Sequence, residues 1–104
     1  MPSLEQLQNL LAADESDSFV LYALAQEHAK RGEHDLAVSF YDRCLAVEPN
    51  ELYAYFHKAR SLEALDQTDA AAACLRVGAE RAEAAGDAKA LGEITGYLQS
   101  LGGA

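Results

Sequence analysis

The sequence predicts an all-α chain of about six antiparallel helices. Three observations carry this. Alanine is abundant, proline is confined to Pro2 and Pro49, and β-branched residues are few, a composition that favours helix over strand. Apolar residues recur at i, i+3, i+4 spacing through nearly the whole chain. The breaks between these stretches are two to four residues long, which sets neighbouring helices antiparallel. At 104 residues, half of them hydrophobic, the chain reads as one domain (1–104) able to bury a core without staples.

The first helix is expected over residues 3–13. Leu4, Leu7, Leu10 and Leu11 share a face there, and Ser3 with Gln6 has the form of a capping box. Asp14, Glu15, Ser16 and Asp17 break it. The second, residues 18–31, presents Leu21, Leu24, Ala25 and His28 on one face and stops at Gly32, which suits a left-handed turn. The third, residues 34–47, keeps Ala37 small among Leu36, Phe40, Tyr41 and Leu45. Pro49 stops it, since proline cannot continue a helix and also restricts Glu48.

The fourth helix, residues 51–65, carries Tyr55, Ala59 and Leu62 and ends at Asp66, which tolerates the left-handed region better than most residues. The fifth, residues 68–85, is alanine-rich and precedes Gly86. The sixth, residues 87–101, has Asp87 as N-cap and Leu91, Ile94, Leu98 and Leu101 in 3-4-3 spacing. Gly102 and Gly103 end it, and Gly92 with Gly96 is expected to mark a close helix approach.

Sliding the chain against itself by 34 residues aligns Ala25 with Ala59, Glu33 with Gln67, Asp35 with Asp69 and Ala37 with Ala71. Tyr22 falls on Phe56 and Leu21 on Tyr55. A fixed period of that size, with two helices per unit, marks an α-solenoid. Residues 18–51 supply Leu21, Leu24, Ala25, His28, Gly32, Ala37, Tyr41, Cys44 and Pro49 in that unit. Residues 52–85 supply Tyr55, Lys58, Ala59, Leu62, Asp66, Ala71, Leu75 and Gly78.

This pattern resembles the tetratricopeptide repeat family, in particular its small stand-alone bacterial two-repeat members. The resemblance implies an α-α superhelix. Residues 3–13 would be the second half of a preceding repeat, 18–51 and 52–85 two full repeats, and 87–101 a C-terminal capping helix. Ala25, Ala37 and Cys44, with Ala59, Ala71 and Gly78, would let backbones approach while larger side chains fill the space around them. Lys58 stands where the family prefers Leu, and Glu83 where it prefers Pro, so the fifth helix should run long.

The resemblance also implies where binding would occur, because first helices of each repeat line the concave face. Phe19, Tyr22, Ala23, Gln26 and Lys30 would come from the first repeat, and Tyr53, Phe56, His57, Arg60, Glu63 and Ala64 from the second. Phe19, Tyr22, Tyr53 and Phe56, interleaved with Lys30, His57 and Arg60, suit a peptide carrying acidic and apolar residues. Ordinary half-exposed helix residues, or residues covered by the sixth helix, would give the same sequence. The carboxylate clamp of the chaperone-tail-binding branch is not expected, since Tyr22, Gln26 and His57 stand where Lys, Asn and Asn would be wanted.

Other classes find little support. A net charge of -9 argues against nucleic acid or an anionic membrane as partner. No apolar run reaches the roughly 18 residues of a membrane span, and the first residues, MPSLEQLQ, lack the pattern of a signal peptide, so a cytoplasmic chain is expected. Cys44 and Cys74 read as buried inert thiols, His28 as a packed residue in an aromatic's place that finds a hydrogen bond, and His34 as a turn residue. No cofactor or metal is called for, and nothing resembles a nucleophile–base pair. The expected function is a non-catalytic interaction module for a protein or peptide partner. Self-assembly, as a weak homodimer, or service as a regulatory subunit is the alternative.

Overall fold

In the computed structural model, which describes residues 2–102, helix α1 (Leu4–Ala13) opens on a closed capping box. The Gln6 N–H donates to Ser3 Oγ at 3.1 Å, and the Ser3 N–H donates to Gln6 Oε1 at 2.8 Å. Helix α2 (Ser18–Lys30) is capped by Asp17, whose Oδ1 accepts from the N–H groups of Phe19 and Val20. Helices α3 (His34–Val47), α4 (Leu52–Ala64) and α5 (Thr68–Ala85) start without a side-chain cap. Helix α6 (Ala88–Ser100) is capped by Asp87, which accepts from Ala90 N–H at 2.9 Å. Six helices and no strand make up the described residues.

Three of the turns are built alike. Gly32, Asp66 and Gly86 adopt positive φ of 77°, 60° and 71°, and in each case the next residue's N–H bonds back five positions. Glu33 reaches the His28 carbonyl, Gln67 that of Leu62 and Asp87 that of Ala82, at 2.9 to 3.0 Å. This closes the orphan carbonyls of the preceding helix and folds the chain back on itself. Asp66 thus does what Gly32 does one period earlier. Gly103, the second half of the expected stop after α6, lies outside the described residues.

The core forms where the small residues let helices meet. Ala25, Ala37, Cys44, Ala59 and Ala71 are fully enclosed, and Leu21, Leu24, Tyr41 and Leu75 fill the space between them. At Gly78 the approach of α4 is so close that an added Cβ would stand 2.7 Å from Tyr55 Cβ. Ala90, Ile94 and Leu98 of α6 join the cluster of α4 and α5, so the last helix buries the apolar face that α5 would otherwise present. Helix α5 does run long, 18 residues against 14 in α3, with no proline to stop it.

Two expectations fail. Leu10 is 50% exposed and Leu36 46%, because α1 packs against α2 alone and has room to bury only Leu7, while Leu36 lies off the buried side of α3. Gly92 and Gly96 mark no close approach. Both are exposed, and an added Cβ at either meets nothing within 4 Å.

Candidate functional site

Helices α2 and α4 stand side by side and α3 lies behind them, leaving a groove of about 530 Å³. Gln26, Ala29 and Lys30 form the α2 wall, and His57, Arg60, Ser61 and Ala64 the α4 wall. These spacings of three and four residues are those of one helical face. His34 and Tyr41 of α3 form the floor. His34 Nδ1 and Ser61 Oγ share a hydrogen bond of 3.1 Å that ties the start of α3 to α4.

A row of rings runs along this face. Tyr41 meets Tyr22 edge-on at 5.9 Å, Tyr22 meets His57 at 6.1 Å, His57 meets Phe56 at 5.5 Å, and Phe56 meets Tyr97 of α6 at 5.1 Å. Offset and edge-to-face contacts of this kind stiffen the surface beyond what burial alone would do. The rings also change the chemistry. Burial, with Glu51, Cys44 and Tyr53 nearby, pushes the Tyr22 hydroxyl to about 12. Burial together with the Arg60 charge holds His57 below its ordinary value, so its imidazole is neutral at neutral pH. The permanent cations of the groove walls are Lys30 and Arg60, both exposed.

The sixth helix covers one end of this surface. Tyr97 donates to Glu63 Oε1 at 2.6 Å and closes a smaller hollow of about 210 Å³ with Phe56, Arg60 and Glu63. Tyr53 lies at the same end, its hydroxyl raised by burial and by Glu93 of α6. Arg60 borders both hollows.

Of the residues expected on the concave face, Gln26, Lys30, His57, Arg60 and Ala64 therefore line one groove. Tyr22, Tyr53 and Phe56 are half-buried and pack against the core clusters, so they serve the repeat core as well as the concave face. Phe19 is 81% exposed in the first turn of α2 and does not line the groove. Sequence reasoning missed Tyr41, His34, Ser61 and Tyr97. The repeat pattern assigns Tyr41 to packing alone, and only the meeting of α3 with the α2–α4 gap places it at the floor.

The remaining reactive groups are quiet. Burial pushes both Cys44 and Cys74 to about 11, and their thiols donate to the carbonyls of Ser18 and Tyr55. His28 is stacked on Phe40 at 5.3 Å and hydrogen-bonded to Glu33 at 3.1 Å. Among the described residues, no three His, Cys, Asp or Glu side chains converge for a metal, and no helix is long and apolar enough to cross a membrane.

The sequence profile of the tetratricopeptide repeat family matches residues 18–61. A tetratricopeptide repeat domain protein from Salinibacter ruber is 32% identical and superposes with a TM-score of 0.78, over 85% of this chain and 89% of that one. The chain belongs to the tetratricopeptide repeat family. Its helices also superpose on the type III secretion translocator chaperone SycD of Yersinia enterocolitica, with a TM-score of 0.85 at 20% identity over 94% of this chain and 68% of that one. PcrH, solved in complex with the chaperone binding region of PopD, gives 0.87 at 19% over 94% and 74%. At such identities these last two show a shared fold. No curated protein matches the chain. The tetratricopeptide fold suggests protein–protein interaction, and domains of this fold are generally non-catalytic.

Proposed function

We propose that this tetratricopeptide protein is a non-catalytic interaction module of the cytoplasm that receives a peptide segment of a partner protein in the groove between α2 and α4. Residues 18–51 and 52–85 would act as its two full repeats, and residues 87–101 as the cap. The observation that carries the reading is the groove itself: an open, ring-lined trough whose walls present Lys30 and Arg60, in a chain whose net charge is -9. Cations gathered on one concave face of an acidic molecule favour an acidic segment there over an apolar one. That PcrH was solved with a binding region of PopD gives the reading a precedent on the same fold.

A surface of this size, approached through an acidic field, supports binding on the order of micromolar. Arg60 supports no core packing, so Arg60→Glu leaves the melting temperature unchanged and removes binding. The test is peptide-display selection on the immobilised protein. Enriched peptides bind wild type and the outer-face control Arg76→Glu alike and lose binding to Arg60→Glu. Equal loss in both variants, or in neither, removes the groove assignment. Self-assembly is the second reading, favoured by the exposed Phe19 and Leu10, and light scattering over a concentration series separates it.

A further inference from the structure

Tyr41 is 1% exposed and lines the groove floor. Every fully enclosed side-chain nitrogen or oxygen among the described residues has a hydrogen-bond partner. Tyr55 donates to the Pro49 carbonyl and Tyr97 to Glu63. The Tyr41 hydroxyl has no such partner among the described residues, so its trace of exposure lies at the oxygen, where the floor opens into the groove. The Arg60 charge reaches that hydroxyl, acting against the burial that raises its pKa. Arg60 makes no ion pair among the described residues, whereas Lys30 and Arg31 share Glu27, and Lys58 pairs with Asp42.

A buried phenol without an acceptor beside a guanidinium without a counter-ion is an unfinished hydrogen-bond set. What completes it must accept from both. A carboxylate does so: the planar arginine fork engages it, and the second lone pair of one oxygen accepts from the phenol. The other groups facing the site fit this polarity. Lys30 adds positive charge from α2, and none of His34, His57, Ser61 and Gln26 contributes an acidic group. Glu63, the acid beside Arg60 on α4, is engaged by Tyr97.

The geometry points to a carboxylate subsite on the groove floor, in which the Tyr41 hydroxyl and the Arg60 guanidinium together hold an internal Asp or Glu side chain of the bound segment. This rests on the groove being the binding surface. It gives Tyr41 a role in recognition distinct from its role in packing. The groove is an open trough and not an enclosed cavity, as an internal residue of a continuing segment requires.

The test uses a dye-labelled, C-amidated hexapeptide alternating glutamate with phenylalanine, and its counterpart with every glutamate replaced by glutamine. Anisotropy with wild type is expected to give affinity about tenfold or more higher for the glutamate peptide. Tyr41→Phe, which removes only the hydroxyl, should cut that affinity about fivefold, leave the glutamine peptide unaffected and leave the melting temperature unchanged, because no intramolecular bond is lost. A melting temperature lowered by several degrees would show that the hydroxyl had a structural partner, and would overturn the inference. Equal binding of the two peptides overturns the subsite while leaving the groove standing. Binding of neither peptide up to millimolar concentration overturns both. A glutamate peptide that binds only with a free C-terminal carboxylate overturns the internal-residue assignment.

Discussion

His57 shows how a single residue carries both legible and illegible information. Its place on the concave face follows from the repeat period, and the groove does contain it. Its state does not follow, because the burial and the Arg60 charge that depress its pKa come from packing with Tyr22 and the next turn of α4. The depressed value has a definite consequence. As pH falls below about 6.5, the unfolded chain takes up a proton at this position before the folded one does, so folding stability is lost across that window. The loss levels off once the folded imidazole also protonates. His57→Gln removes this contribution. The wild-type chain should therefore lose more melting temperature than the variant between pH 7 and pH 5. Parallel pH profiles would show that the imidazole is not shielded. At Ala37 and Gly78 the sequence was fully legible, because a small residue ringed by large ones at helical spacing has few uses other than a helix crossing.

Among the elements, helices α2 to α5 were the easiest to foresee, and for one reason. Each repeats its equivalent one period away, so a weak signal is read twice. Helix α6 has no such partner in register, and α1, although in register with α3, packs on α2 alone among the described residues. The expectation that Leu10 packs, and that Gly92 and Gly96 mark a crossing, failed at those two ends. A periodic stripe reports what could be buried, while the number of neighbours decides what is buried, and each terminal helix lacks a neighbour on one side. Glycines in the two settings should respond with opposite sign. Gly96→Ala places a methyl in open space in a helix interior and should stabilise by about 0.5–1 kcal/mol. Gly78→Ala drives a methyl against Tyr55 Cβ and should destabilise by about 1–3 kcal/mol. Thermal or urea melts of both variants decide it, and a stabilised Gly78→Ala would mean that α4 and α5 are not locked at this crossing.

At the scale of the molecule, the stack measures 41 × 30 × 21 Å and its successive helices pack mainly on their neighbours. The class of fold and the order of helices were legible because both are local properties of the chain. The depth of the groove, the row of five rings and the half-cover given by α6 were not, because they depend on how one helix pair leans on the next. Stability in such a stack is close to a sum of pair terms, so its ends can open without its middle. The two thiols turn this into a clock. Cys44 is fully enclosed in the α2–α3 pair and Cys74, 8% exposed, is held against α4, each thiol donating to a backbone carbonyl, so a thiol reagent reaches either one freely only when its own pair separates. Labelling rates therefore read the opening of two halves of one chain separately. Removing residues 87–104 strips the cover from α5 and should speed labelling of Cys74 by an order of magnitude or more, while Cys44 keeps nearly its wild-type rate. Equal acceleration at both thiols would mean that the stack opens only as a whole.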